Sequence, residues 1–87
     1  MFYFVYILHS LKDNRLYVGC TSDLEKRLKR HNLGQMKATS NRRPLKLFHS
    51  ERFEDKAEAF NRERFLKSLW GAREKRKILK GFLDKIA

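Results

Sequence analysis

Three stretches of the chain carry strand-like apolar patterning and three carry helical spacing, and their order along the chain sets the architecture. Phe2 to Leu8 is an unbroken apolar and aromatic run. It is too short to settle as a helix and rich in strand formers, so it reads as a strand covered on both faces, the middle one of its sheet. Leu11-Lys-Asp-Asn14 is turn material, with Asp13 and Asn14 able to bond back to the local backbone. Arg15 to Cys20 then alternates, with Leu16, Val18 and Cys20 on one side and Tyr17 and Gly19 on the other. A four-residue loop sets Ser10 opposite Arg15, Leu8 opposite Tyr17 and Tyr6 opposite Gly19. Tyr6 and Tyr17 then project from one face as diagonal neighbours, and a slip of one residue would separate them. Gly19 leaves an opening beside them.

That second strand turns directly into a helix. Ser22-x-x-Glu25 reads as a capping box, the helix is expected from about Asp23 to Leu33, and Gly34 supplies the left-handed residue that ends it. Leu24, Leu28 and His31 fall at i, i+4 and i+7 and face the sheet. Arg27 sits on the same arc, where a cation needs an anionic partner because burying it unpaired is costly. Gly34 to Pro44 is a basic, weakly apolar loop whose Lys37, Thr39, Arg42 and Arg43 suit phosphate contacts. Leu45 to Phe53 forms a third strand. Asp55-x-x-Glu58 starts a second helix running to roughly Leu69, with Ala59, Phe60, Leu66 and Trp70 inward and Glu63 inside that arc. Glu63 also stands four residues before Lys67, an ordinary surface pairing, and the wheel leaves both readings open. Gly71 is expected to break the chain before a last helix. Its apolar stripe is Ile78, Leu79, Phe82, Leu83 and Ile86, and its other face carries Lys75, Arg76, Lys77 and Lys80.

Composition narrows the partner. Eighty-seven residues make one small domain, 1–87, near the lower limit for a self-sufficient core, and 41% hydrophobic with 13% aromatic content suits a folded globule. Twenty-one Lys and Arg against ten Asp and Glu give +11, a charge that concentrates polyanions and points first to nucleic acid. A basic surface kept for solubility is the plainer alternative. The lone Cys20 excludes an intramolecular disulfide and fits a reducing cytosol, and no apolar run approaches the length of a membrane span. A cytoplasmic protein without membrane attachment is expected. Three separated histidines and one cysteine give no zinc spacing, and the four scattered glycines form no phosphate loop. Two tyrosines, an inward arginine, a histidine one turn later and an inward glutamate remain. Those parts suffice for phosphodiester hydrolysis. A carboxylate can hold a divalent metal, an arginine can neutralise charge, and a tyrosine or histidine can handle protons.

These residues resemble the GIY-YIG nuclease domain. Phe4-Val5-Tyr6 stands where the first motif lies, and Tyr17-Val18-Gly19 matches the second across the family's ten-residue gap. The helix from Asp23 to Asn32 is similar to the family's arginine helix, and Glu63 to its metal-binding glutamate. The resemblance runs from about residue 2 to residue 80. It is nearest to small standalone bacterial members, through Arg43-Pro44 before the third strand and Arg62-Glu63-x-x-x-Lys67. It implies an α+β fold with a three-stranded antiparallel sheet flanked by three helices, one Mg²⁺ or Mn²⁺ ion at Glu63, and endonuclease hydrolysis of nucleic acid. DNA is favoured over RNA, in repair or in processing of foreign DNA. By carry-over Tyr6 is the favoured general base or water-positioning phenol, Tyr17 supports it, Arg27 stabilises phosphate charge, and His31 lies near the nucleophile. Lys67 joins the loop cations as a nucleic-acid contact.

The sequence departs from the family pattern at two motif positions, and no later asparagine of the family pattern is placed in it. Phe4 replaces the first motif's glycine, and Cys20 stands where many relatives have lysine. With no added specificity domain, recognition would rest on backbone charge and favour structured or single-stranded nucleic acid. A nucleic-acid-binding module with weak or no catalysis is the alternative. A partner-binding domain, which an exposed Trp70 or Phe82 would favour, is a third reading.

Overall fold

The computed structural model describes residues 1–86. Its elements in chain order are β1 (Tyr3–Ser10), β2 (Leu16–Thr21), α1 (Leu24–Asn32), a 3-10 turn (Ser40–Arg42), β3 (Leu45–Phe53), α2 (Lys56–Lys67) and α3 (Leu69–Ile86). The three strands form one antiparallel sheet in the order β2-β1-β3, so β1 is central as its unbroken apolar run requires. Val5, Tyr6, Ile7 and Leu8 all have 0% exposure, which means that both faces of the sheet are covered. The hairpin register is the expected one: Leu8 faces Tyr17, Tyr6 faces Gly19, and Ser10 N–H donates to the Arg15 carbonyl at 2.9 Å. Asn14 takes the positive φ (61°) that closes the turn. Against β3 the register shifts between Ile7 and Leu8, where Phe48 is the extra residue of a bulge.

The pleat divides the core into two clusters. Val5, Ile7 and Val18 pack with Ala59 and Leu66 of α2, with Ile78 of α3 at the margin. On the other face Tyr6, Leu8 and Leu45 pack with Tyr17, Leu24, Leu28 and Leu47, so α1 covers that side. A half-buried ion cluster ties β3 to α2 and α3. Arg62 donates to both Glu51 carboxylate oxygens at 2.7 and 2.9 Å and reaches Glu74 at 3.5 Å, while His49 lies 2.8 Å from Glu51. Burial works to raise the Glu51 pKa, but Arg62 and His49 outweigh it and hold the carboxyl below its usual range.

Helix boundaries differ from the sequence reading in two places. The cap of α1 is Asp23, whose carboxylate accepts the Lys26 N–H at 3.0 Å, in place of the Ser22–Glu25 box. A local turn in which Thr21 Oγ1 accepts from Asp23 N–H, at 3.1 Å, moves the cap one residue on. Leu33 and Gly34 then end the helix, Gly34 at φ +79° as expected. The second difference is the junction of α2 and α3. α2 stops at Lys67, Ser68 bonds back to the Phe65 carbonyl, and α3 starts at Leu69. Gly71 therefore lies inside α3 and does not separate the helices. A Cβ there would run into the Phe65 carbonyl and the Leu66 backbone, so glycine lets the two helices touch. Of the expected inward arc, Ala59 and Leu66 are buried, whereas Phe60 is exposed and Trp70 is 82% exposed at the start of α3. In the last stripe Ile78 packs on the core and Phe82 meets Phe48 at 5.7 Å between ring centroids, while Leu83 is exposed. The side chain of Ile86 lies outside the described residues. Among the described residues no helix is long and apolar enough to cross a membrane.

Candidate active site

The site forms around β2, the outer strand reached by α1 and by α2. Tyr6 on β1 and Tyr17 on β2 project from the same face, as the register dictates, with ring centroids 6.4 Å apart. His31, in the last turn of α1, stands edge-on to both, 5.8 Å from Tyr6 and 5.1 Å from Tyr17. The opening left by Gly19 is filled by the Tyr6 phenol: a Cβ on Gly19 would overlap its hydroxyl. Glycine is needed there for close approach across the hairpin.

A continuous buried hydrogen-bond chain runs through the imidazole. The Tyr6 hydroxyl lies 2.9 Å from His31 Nε2, and the Thr39 hydroxyl lies 2.7 Å from His31 Nδ1. All three residues have 0% exposure. Burial first, and then the Arg27 and Arg30 charges, lower the His31 pKa, so the ring is neutral at pH 7. A neutral imidazole carries one proton, and the chain can run in two directions. With Tyr6 O–H donating to Nε2, Nδ1–H donates to Thr39; with the proton on Nε2, both bonds reverse. Burial, with Tyr17 adding to it, pushes the Tyr6 pKa up to about 12 against the opposing pull of Arg27. Tyr6 therefore keeps its proton near neutral pH.

The remaining charged groups line the outer side. Half-buried Arg27 stands near enough to the Tyr6 hydroxyl to draw its pKa down. It opens with Lys26 and Arg30 onto a polar recess beside Thr21, Ser22 and Asp23. Glu63 pairs with Lys67 at 3.1 Å, the glutamate side chain 21% and the lysine 51% exposed. Both readings of Glu63 thus coexist, since it is turned inward and also paired along its helix. Lys67 Nζ lies 6.0 Å from the Tyr17 ring centroid, which places the pair beside the tyrosines. Burial and then the Glu63 charge raise the Cys20 pKa, so this thiol stays protonated and offers no cation in place of lysine.

The loop from Gly34 to Pro44 behaves differently from expectation. Thr39, expected as a phosphate contact, is buried behind His31 and its hydroxyl is occupied. Arg42 is also committed internally, donating to Asp13 at 3.0 Å and to the Leu16 carbonyl at 3.4 Å. Arg43 is exposed but donates to the Ser40 carbonyl at 3.0 Å, and Lys37 is exposed. Ser10 Oγ donating to the Arg42 carbonyl at 2.6 Å pins the segment to the end of β1. Its work in the fold is to back the histidine. Lys26 and Arg30, which share the recess with Arg27, were not selected from sequence, although their i, i+4 spacing on the arginine helix was available to find them.

Residues 2–77 match the GIY-YIG catalytic domain. A UPF0213 protein of Clostridium perfringens is 51% identical over 67 residues, covering 76% of this chain and 71% of that protein. A UPF0213 protein of Natronomonas pharaonis is 40% identical over 77 residues, covering 87% and 89%. The solution NMR structure of a UPF0213 protein from Bacillus halodurans superposes with a TM-score of 0.56 at 35% identity, covering 92% of this chain and 84% of that one. The domain match takes in the whole sheet, α1, α2 and half of α3, and on that extent the chain belongs to the GIY-YIG family, a nuclease family whose membership implies nucleic acid as the substrate.

Proposed function

We propose that this protein is a divalent-metal-dependent endonuclease hydrolysing phosphodiester bonds, with DNA as the favoured substrate and RNA as the next. The observation that carries the reading is the contrast between two inward carboxylates. Glu51 is answered in full by Arg62 and His49. Glu63, in a protein of net charge +11, has only the flexible and half-exposed Lys67 as an ion-pair partner among the described residues. A structural carboxylate would be matched as Glu51 is. One left so lightly held, beside two tyrosines and Arg27, suits a hard cation.

The donor set fits Mg²⁺ or Mn²⁺ on the same ground. No cluster of three or more His, Cys, Asp or Glu occurs among the described residues, and Mg²⁺ binds through one or two carboxylates with water and substrate phosphate completing its shell. Glu63 would hold the ion once Lys67 moves aside. When bound, the ion supplies charge neutralisation at the phosphate and the leaving oxygen. Hydrolysis forms one bond from water oxygen to phosphorus and breaks one phosphorus–oxygen ester bond. The water loses a proton and the leaving oxygen gains one. Arg27 faces the phosphate and stabilises its growing charge. Tyr17, half-buried beside His31, orients the attacking water. Tyr6, protonated and buried, positions His31, and His31 fixes Tyr17 by edge-on contact.

Glu63→Gln keeps the side-chain shape and removes the charge. Single-turnover cleavage of labelled single- and double-stranded substrates, with Mg²⁺ and with Mn²⁺, is compared with binding in the same buffer. Loss of cleavage is expected, with affinity within about threefold of the parent and stability within about 0.5 kcal/mol, since a partly exposed pair contributes little. Equal cleavage by Glu63→Gln refutes the metal assignment. If neither protein cuts any substrate with either metal, the domain is a nucleic-acid-binding module.

A further inference from the structure

α3 opens with side chains the fold does not use. Leu69 is 94% exposed and Trp70 82% exposed, and neither joins a core cluster. With Arg73 and Arg76 they border a recess of about 320 Å³. Leu69, Arg73 and Arg76 stand at i, i+4 and i+7 along one stripe, and Trp70, three residues before Arg73, stands on the adjoining one. Arg73 and Arg76 make no ion pair among the described residues.

We propose that this patch is a stacking platform for unpaired bases, which makes a single-stranded segment of nucleic acid the chain's preferred ligand. The inference deepens the nuclease reading and rests on it for the identity of the site next door. An indole face bare to solvent matches the face of a base, and base–aromatic stacking tolerates any sequence because every base has a π-face. The guanidinium groups beside it can take the flanking phosphates or stack in turn. A duplex hides its base faces and could offer Trp70 only a terminal pair. A protein partner would have to supply acidic groups against Arg73 and Arg76. A nucleic-acid strand brings both the flat apolar faces and the negative charge.

Position supports the assignment. Trp70 follows Lys67 by three residues, so their Cα atoms are no more than ~11 Å apart. Lys67 is the partner of Glu63. Glu63 lies one helical turn, ~6 Å, before Lys67, so at roughly 3.4 Å per nucleotide along one strand a crossing from Glu63 to Trp70 spans at most about five nucleotides. The platform would therefore hold the strand within a few nucleotides of the scissile phosphate.

Trp70 is the sole tryptophan, so its emission reports on this patch alone. Glu63→Gln protein is titrated with a 15-nucleotide oligo-dT, with oligo-U of equal length and with a blunt hairpin duplex, read by tryptophan emission and by anisotropy of labelled strands. Expected is quenching that saturates along the anisotropy curve for the single strands. Trp70→Ala should weaken single-strand binding between about five- and 150-fold, and Trp70→Phe should recover most of it. Binding of the duplex should change less than about twofold. The Arg73→Ala/Arg76→Ala double variant should lower the log K against log salt slope by about 1.4, at roughly 0.7 per phosphate contact on a single strand. Emission that stays constant while anisotropy reports binding overturns the proposal, as does full single-strand affinity in Trp70→Ala. An emission shift that follows protein concentration without oligonucleotide would assign the patch to a second copy of the chain and overturn it too. Because Glu63→Gln is used throughout, these outcomes are independent of whether the wild-type chain cuts.

Discussion

Thr39→Val removes one hydroxyl at nearly constant volume, and the structure puts that hydroxyl at the base of the site. Its partner, His31 Nδ1, is 2.7 Å away, and neither residue has any exposure to water. Valine leaves Nδ1 with no partner in either tautomer. If the proton sits on Nδ1 a donor is orphaned; if it sits on Nε2 a lone pair is. A buried polar atom stripped of its partner costs about 1–3 kcal/mol, against a total stability on the order of 5–15 kcal/mol for a domain. Even the lower figure should reduce Tm by roughly 4–8 °C at this chain length.

Urea melts of wild type, Thr39→Val, Thr39→Ser, His31→Phe and the Thr39→Val/His31→Phe pair at pH 7.5 measure the effect. Thr39→Ser keeps the hydroxyl and should recover more than half of the loss. The double-mutant cycle should show a coupling of about 0.5–3 kcal/mol, because removing the imidazole also removes the orphan. If Thr39→Val lies within 0.3 kcal/mol of wild type, or if the two single effects simply add, the buried chain through His31 is not what holds Thr39 and the reasoning fails.

Acidification should destabilise the protein through the same histidine. Its folded pKa lies below the unfolded value of 6.5, so under pH 6.5 the unfolded chain binds the proton first, and stability falls towards the folded pKa by at most about 1.4 kcal/mol per pH unit. His31→Phe should flatten urea midpoints measured from pH 7.5 to 5, and an equally steep fall in that variant would exclude His31 as the cause. Arg27→Ala should lower single-turnover cleavage by about 10²–10³-fold with a folded circular-dichroism spectrum; full activity per folded molecule would make Arg27 structural. Gly71→Ala should cost about 1–3 kcal/mol by forcing α2 and α3 apart. Gly81→Ala, whose Cβ would meet nothing within 4 Å, should add up to about 1 kcal/mol, and thermal melts that fail to separate the two would refute the packing role of Gly71.

The hairpin and its site residues were legible because two local signals agreed. A continuous apolar run demanded a central strand, and a short polar turn fixed the register that sets Tyr6 against Gly19 beside Tyr17. His31 followed from helical spacing. The α2–α3 junction was not legible from a wheel, which treats residues 56–70 as one rod and so brings Trp70 round beside Leu66. The Ser68 hydroxyl ends that rod. Gly71 looked like a breaker because low helix propensity is a local signal, whereas its use here is a tertiary contact with the Phe65 and Leu66 backbone. Ser22 and Asp23 are both good caps, and only the Thr21 turn chooses between them. Thr39 sat in a basic loop with hydroxyls that suit phosphate. Nothing in that loop's composition says that one hydroxyl returns to a histidine eight residues back.

The site divides into an inner half that belongs to the core and an outer half that does not, and this division governs how substitutions behave. Tyr6 is a member of the core cluster with Leu8 and Leu45, and it also bonds His31 and occupies the space that Gly19 leaves. Changes at Tyr6, Gly19, His31 or Thr39 therefore disturb packing and the buried hydrogen-bond chain at once, and each should cost stability. Tyr17, Arg27, Glu63 and Lys67 reach solvent to different degrees, and their charges and hydroxyls can be removed without emptying the core. The sheet holds the two phenols and α1 holds the imidazole between them and Thr39, whereas Glu63 is held only along its own helix by the half-exposed Lys67.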